Sequence, residues 1–152
     1  MKKIILFTLI SFSGISQNNK LDTKNGFDAF IFGSTPGEYK NLALEIDEGN
    51  VKLFSAPKYP LKISEIEFQN INITFVKNKL SCISMQSKNS NGTKLLQVLK
   101  ETYGEPNKSV PSKGSYEWLS TKVELVYEKS LSSSEATISF SSKEIYKKGI
   151  DK

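Results

Sequence analysis

Two glutamates at alternate positions are the first candidates for chemistry. Glu65 and Glu67 lie in a segment, Ile63–Phe68, that we predict to be a strand, so their side chains share one face of it. Glycosidases use two carboxyl groups separated by roughly 5–10 Å, which makes a hydrolase with a carboxylate pair one function to consider. Charged residues at alternate positions are also typical of the water-facing side of a half-exposed sheet, and we favour that interpretation.

A second polar group surrounds Gly49 and consists of Asp47, Glu48 and Asn50. Carboxylate and amide oxygens bind calcium, but the repeated acidic spacing and the downstream glutamate of an EF-hand loop are missing. Asp, Asn and Gly are also the residues that tight turns favour. We therefore predict a turn here and no metal site.

The absence of certain residue types excludes several catalytic mechanisms, intrachain disulfides and some metal sites. The 152 residues contain no histidine and one cysteine. Serine–histidine catalysis, intrachain disulfides and a zinc site built from several thiolates are thereby excluded. The sequence has no glycine-rich phosphate loop and no Gly-x-Ser-x-Gly elbow. A serine–lysine dyad stays open because its partners need no local motif, but we name no catalytic residue and no cofactor.

The single cysteine, Cys82, lies in the alternating segment Leu80–Met85. A free cysteine in a strand usually acts as a small buried hydrophobic residue. A reactive thiolate needs a positive neighbour, and no histidine is present to supply one. We therefore expect Cys82 to pack rather than to react.

Three aromatic residues are the candidates for binding. Tyr116 and Trp118 are two apart on a predicted strand and share a face, and Tyr59 lies in a loop between Pro57 and Pro60. Exposed aromatic rings stack on sugars and anchor protein partners. We predict these three as ligand- or partner-binding residues. Tyr59 is the strongest candidate, because large aromatic residues such as Trp118 are more often buried in a core.

Residues 1–16 have the three parts of a secretory signal peptide. Two lysines are followed by an apolar run from Ile4 to Phe12, and small residues precede a cleavage before Gln17. The run is shorter than the about 20 residues that span a bilayer. We expect a chain exported to the periplasm or secreted. Its predicted parts after the signal peptide are a disordered lead-in (17–25), one domain (26–142) and a basic tail (143–152).

The charge pattern argues against nucleic acid as a partner. Lysine supplies all 21 basic side chains against 16 acidic ones, for a formal net charge of +5. Nucleic-acid binding usually needs a concentrated basic face and arginine, whereas spread lysines are typical of a solvated surface. No later segment is long and apolar enough for a membrane helix, so we expect a protein that does not span the membrane.

Periodicity predicts the elements that must position these residues. Leu95, Leu99 and Tyr103 form one apolar stripe of a helix over 93–103, which Gly104 ends. Thr35–Glu38 fits a capping box that starts a short helix of one or two turns. Alternation between turn residues predicts strands over 42–46, 51–54, 63–68, 71–75, 80–86, 116–119, 122–127 and 136–140.

These elements predict an α+β fold. Short loops between strands favour antiparallel pairing, and alternation requires a cover for the apolar side of the sheet. We therefore expect an antiparallel meandering sheet with one or two helices packed on one face. A helical segment precedes strands in each half, which leaves a tandem helix-plus-sheet repeat as a further option.

Two short motifs carry a family resemblance. Phe32–Glu38 opens a helical turn before strands, and Leu99–Pro106 ends a helix with Gly-x-Pro before a strand that bears Trp118. In this the chain resembles small exported envelope proteins, the group of the β-lactamase inhibitory proteins and the small outer-membrane assembly lipoproteins. It is equally similar to uncharacterised secreted proteins of the Bacteroidetes type. The resemblance implies helical segments followed by antiparallel sheet, and a role in binding other proteins. The chain departs from the group because it has no lipid-bearing cysteine and no disulfide pair, and no functional residue is carried over.

The sequence thus predicts an exported non-enzymatic module that binds a protein or an envelope component through its sheet face or loops. One alternative is a carbohydrate- or small-ligand-binding protein that uses Tyr59, Tyr116 and Trp118. The other is a hydrolase with a carboxylate pair. Because fold analogy alone does not identify a function, the partner and the oligomeric state stay open.

Overall fold

The structure is a computed structural model that describes residues 19–130, 132 and 134–150. The predicted signal peptide, 1–16, lies outside the described residues.

Short helices and many strands follow one another along the described chain. The helices are α1 (Asn19–Lys24), α2 (Gly92–Tyr103) and α3 (Lys143–Ile150), and single 3-10 turns form at Pro36–Glu38 and Pro111–Lys113. The strands are β1 (Gly26–Phe27), β2 (Phe30–Ile31), β3 (Ala43–Glu48), β4 (Val51–Ser55), β5 (Lys62–Ile63), β6 (Ile66–Val76), β7 (Lys79–Ser87), β8 (Lys108–Val110), β9 (Ser115–Leu119), β10 (Val123–Lys129) and β11 (Ala136–Ser142).

Strands β3 to β11 form one open antiparallel sheet in the described part of the chain. The order across it is β3-β4-β6-β7-β11-β10-β9-β8, and the short β5 pairs with the free end of β6. Each half is a run of neighbouring hairpins, and the pairing of β7 with β11 joins the two halves. The predicted antiparallel sheet is therefore confirmed, and it is continuous across both halves of the chain.

One face of the sheet forms the core. Ile73, Ile83, Phe140 and Leu125 lie side by side on β6, β7, β11 and β10, and all four are fully buried. Alternate positions of a strand point to opposite faces, so this single row fixes which residues of every strand face the core.

Helix α2 contributes to that core, as its apolar stripe predicts. Leu95, Leu99 and Tyr103 are buried within the same cluster, and the helix contacts β10 and β11. The ring of Tyr103 meets Phe140 edge to face at 6.3 Å. Phe27 stacks on the same Phe140 ring at 5.0 Å, which brings the β1–β2 hairpin into the core.

The structure differs from the predicted lead-in and tail. Asn19–Lys24 is helical, and its Asp22 carboxylate accepts hydrogen bonds from the turn before β10. The segment from Lys143 is helical as well, and Ile145 packs against the core. Contacts with distant parts of the chain hold each segment in place, and such contacts cannot be predicted from local composition.

Two predicted elements differ in detail from the structure. The segment predicted as one strand over 63–68 is divided, because Ser64 has a positive φ of 54° and turns the chain between β5 and β6. The predicted capping interaction is present, since the backbone N–H of Thr35 donates to the Glu38 carboxylate at 2.7 Å. The helical segment that it starts is one 3-10 turn.

Candidate functional site

The structure places Trp118 in the core. Its side chain lies next to Leu125 in the core row and is 2% exposed. Its indole N–H donates to the carbonyl oxygen of Gly104 at 2.7 Å, directly after α2. Trp118 therefore offers no open ring face to a ligand in this structure, and its predicted binding role stays a prediction.

Tyr116 lies at the border of the core and faces a groove of about 470 Å³. Its ring contacts Tyr127 edge to face at 5.7 Å, and the ammonium of Lys100 lies 5.9 Å from its ring centroid. Burial, and to a smaller extent the neighbouring Tyr116, raise the pKa of Tyr127 to about 12. The hydroxyl of Tyr127 donates to the Gly92 carbonyl at 2.9 Å, so it acts as a structural donor rather than as an acid or base near neutral pH.

Tyr59 is half-buried and lines a different groove of about 600 Å³. One side of its ring packs on Phe30 at 4.7 Å, and its hydroxyl donates to the carbonyl of Lys40 at 2.8 Å. The Tyr59 groove and the Tyr116 groove share no lining residue. The structure therefore brings Tyr116 and Trp118 together on β9, but it does not bring Tyr59 to them.

The two glutamates considered for hydrolysis form ion pairs with different lysines. The carboxylate of Glu65 lies 3.3 Å from the Lys94 ammonium, and that of Glu67 lies 3.1 Å from Lys88. Both glutamate side chains are largely exposed, and Glu65 precedes β6 instead of sharing it with Glu67. Neither glutamate is shielded from water, as the general acid of a glycosidase is.

The acidic segment around Gly49 is the turn between β3 and β4, as predicted. The Asp47 carboxylate accepts the N–H of Gly49 at 2.9 Å, and Lys52 lies 3.3 Å away. The Gly49 hydrogen bond first, and Lys52 second, hold the pKa of Asp47 below its usual value. In the part of the chain that is described, no group of three or more acidic or cysteine side chains is placed to hold a metal ion.

The sheet side that faces away from the core, here called the second face, carries mainly small polar side chains. The strand register aligns these side chains in rows across the sheet, and none of them is fully buried. The middle row is Ser55, Asn72, Ser84, Ser139, Val126 and Glu117. The neighbouring rows are Leu53, Thr74, Cys82, Ser141, Glu124 and Leu119, and Gln69, Gln86, Thr137, Glu128 and Ser115.

The half of the second face on β9 and β10 is acidic. Glu117, Glu124 and Glu128 all point to it, and the Lys108 ammonium lies 3.2 Å from the Glu117 carboxylate. This patch contrasts with the net charge of +5 of the whole chain. It would attract a positively charged partner surface.

Amide side chains link the strands at one end of the second face. The Asn70 amide donates to Gln86 at 2.6 Å, and the Gln86 amide donates to Glu135 at 2.5 Å. At the other end, Tyr146 of α3 lines a groove of about 270 Å³ together with Leu119, Glu124 and Ser141. Hydrogen bonds therefore hold the polar side chains at the end that contains Asn70, and α3 lies at the opposite end.

Cys82 lies within the second face and is half-buried. Loss of water contact raises the pKa of its thiol, and the hydrogen bond that Ser141 donates to its sulfur at 3.5 Å offsets only part of this effect. Cys82 is therefore not part of the core, contrary to the expectation of a buried residue, and its low reactivity stays a prediction.

The second face was not among the sequence-predicted sites. The signal for it is the run of Ser, Thr and Gln between buried residues of β7 and β11, for example Thr137, Ser139 and Ser141. Strand periodicity assigns those residues to one face. Only the pairing of β7 with β11 places them beside Ser84 and Cys82.

Comparison of the chain with protein-family models, with curated proteins and with solved structures finds no match. Among the described helices, none combines the length and the apolar character that crossing a membrane requires.

Proposed function

We propose that this protein is an exported, non-enzymatic module that holds a protein partner on the second face. The observation that carries the proposal is the set of cross-strand rows of small, partly exposed polar side chains on that face. Short side chains allow the backbone of a partner to approach closely, and their hydroxyl and amide groups supply hydrogen bonds in both directions.

The charge of the second face specifies the kind of partner. Glu117, Glu124 and Glu128 favour a partner with a basic surface patch, and they disfavour those face-to-face arrangements of two copies of this chain in which β9 and β10 meet their own counterparts. The partner is therefore a different protein that presents lysine or arginine to β9 and β10.

The finer architecture belongs to the same proposal. We propose that α2 covers the core face and leaves the second face open, and that the two sheet halves are a tandem repeat, each half preceded by a helical segment. The burial of Leu95 and Leu99 with strand residues supports the first statement. The 3-10 turn before β3 and α2 before β8 support the second.

Export is tested by cell fractionation. The mature protein is expected outside the cytoplasm, with its N-terminus at Gln17 by mass spectrometry of the intact chain. A chain that keeps residues 1–16 and stays in the cytoplasm contradicts export, whatever it binds.

Binding is tested by capture from native envelope extract after cross-linking, with a double variant, Ser84→Arg with Ser139→Arg. The two positions are neighbours at the centre of the second face, so two long cations there block close approach and reduce the acidic character. The matched control is Ser112→Arg with Thr121→Arg, which adds the same charge at exposed positions outside the three rows of this face.

A supporting result is one basic protein that wild type and control retain and the second-face variant loses, with all three chains unfolding at the same temperature. Equal capture by both variants contradicts the proposed site. Absence of any protein above background, in extracts from several growth conditions, contradicts the function.

A further inference from the structure

The groove that Tyr59 lines lies along β6. Strands β4 and β5 both pair with β6, and hydrogen bonds to β6 hold both ends of the loop that connects them. The N–H of Ala56 donates to the Ile71 carbonyl at 2.9 Å, and the N–H of Phe68 donates to the Leu61 carbonyl at 3.1 Å. Between them, Asn70 has a positive φ of 49° and the register with β7 shifts, which marks an irregularity of β6 at the groove.

The floor of this groove is apolar and its rim is basic. Leu61, Phe68 and Ile71 are buried along it, and Tyr59 forms part of the wall. Three lysines, Lys58, Lys62 and Lys88, line it, against a single acidic residue, Glu67, which is paired with Lys88.

Two of these lysines, Lys58 and Lys62, are available to pair with an anionic ligand. Lys58 and Lys62 are exposed, and no carboxylate among the described residues lies within ion-pair distance of either ammonium.

A second groove of about 590 Å³ adjoins the first, because Pro60 and Lys62 line both. Lys24 and the acidic Asp28 line this second groove. The Lys24 ammonium also lies 5.6 Å from the centroid of the Tyr103 ring. Together, the two adjoining grooves are lined by Lys24, Lys58, Lys62 and Lys88.

We propose that the joined grooves, here called the lysine groove, bind an acidic polysaccharide. An exposed lysine contributes little to binding by itself, so a ligand with one anionic group gains little from this rim. A chain that presents a carboxylate on successive sugar units meets several lysines at once, and the contributions combine. The flat apolar faces of its sugar rings pack on the tyrosine and proline rings of the wall.

The same features disfavour a single-stranded nucleic acid as the occupant. Binding of nucleic-acid strands relies on open aromatic platforms and on arginine. Among the aromatic residues that line the two grooves, Phe27, Phe68 and Tyr103 are buried, which leaves Tyr59 as a single platform for successive bases, and the sequence contains no arginine. The lysine groove borders the second face at Gln69, but Lys58 and Lys62, which the test below changes, lie in none of its three rows, so the two proposals are tested separately.

The test uses affinity electrophoresis of the mature chain in gels that contain polygalacturonate, uncharged dextran or oligothymidylate. Wild type is expected to be retarded by polygalacturonate and not by dextran. Raising the salt concentration from about 50 mM to about 500 mM should weaken the retardation, because exposed charges are screened. The lysine-groove variant, Lys58→Gln with Lys62→Gln, is expected to bind about five- to tenfold more weakly.

The matched control is Lys113→Gln with Lys122→Gln, which removes the same charge at exposed positions that line neither groove. Its affinity is expected to change by about twofold or less. Four outcomes overturn the proposal: no retardation by polygalacturonate, equal retardation by dextran, tighter binding of oligothymidylate, or equal weakening in the two double variants. Circular dichroism and thermal unfolding of each variant confirm that the fold is intact.

Discussion

The indole N–H of Trp118 donates a 2.7 Å hydrogen bond to the carbonyl oxygen of Gly104. This bond ties the centre of β9 to the residue at which α2 ends, where Gly104 takes a positive φ of 83°. The tryptophan predicted to contact a ligand therefore fixes the helix against the sheet.

Trp118→Phe should lower the free energy of unfolding by about 1–3 kcal/mol, because the Gly104 carbonyl loses its partner and the smaller ring leaves space in the core. Urea unfolding measures the loss. Tyr116→Phe on the same strand is the control, with an expected change within about 0.5 kcal/mol, since Tyr116 is only half-buried. Equal losses of unfolding free energy in the two variants would contradict a stabilising role for the hydrogen bond to Gly104.

Asp22 should make the stability of the fold depend on pH. Burial alone raises the pKa of its carboxyl, but hydrogen bonds from Ser120 and from the backbone N–H groups of 121–123 outweigh this, and the pKa lies below its usual 3.8. The ionised form therefore stabilises the fold. This contribution is complete above the unfolded pKa and is lost as the pH falls through the lower folded value.

Asp22→Asn should accordingly reduce the loss of stability between about pH 5 and about pH 2.5, as measured by urea unfolding at each pH. Asp28→Asn is the control, because Asp28 is exposed and no described hydrogen bond reaches its carboxylate. If the stability of wild type and of Asp22→Asn falls equally across this pH range, ionised Asp22 does not stabilise the fold.

Gly92 should tolerate no side chain. A Cβ atom there would lie 2.6 Å from the carbonyl oxygen of Ser134, to which the Gly92 N–H donates at 2.9 Å. Backbone must move to relieve that contact, so Gly92→Ala should destabilise the fold by about 1–3 kcal/mol despite the better helix propensity of alanine. Gly37→Ala is the control, since a Cβ atom at Gly37 would meet nothing within 4 Å, and it should be close to neutral. Thermal unfolding of both variants compares them.

Cys82 should react slowly in the folded protein. Its thiol pKa is raised by burial, so little thiolate exists near pH 8, and the reaction with Ellman's reagent should be at least about tenfold slower than in urea. An exposed cysteine introduced by Ser112→Cys in a Cys82→Ser background provides the comparison. If native Cys82 reacts as fast as that cysteine, the thiol is accessible and its environment differs from the one described.

The candidate site was only partly predictable from sequence. Tyr59 lies in its proline-flanked loop, as predicted, but the lysines that share its groove come from separate segments, Lys62 on β5 and Lys88 after β7. Trp118 and Tyr116 share a strand face as expected, yet burial differs between them because Trp118 lies opposite Leu125 and Tyr116 lies near the end of the sheet beside a groove.

Local sequence was sufficient to predict the longer antiparallel strands, but not the short β1, β2 and β8, and it predicted the β3–β4 turn and the helix of Leu95, Leu99 and Tyr103. Those features follow from side-chain periodicity and turn residues within a few positions of one another, which are local properties of the chain. Long-range packing set the pairing of β7 with β11, the capping of the turn before β10 by Asp22, and the polar rows across the second face. Each of these joins residues distant in sequence, and their pairing depends on the burial of the whole core rather than on any local pattern.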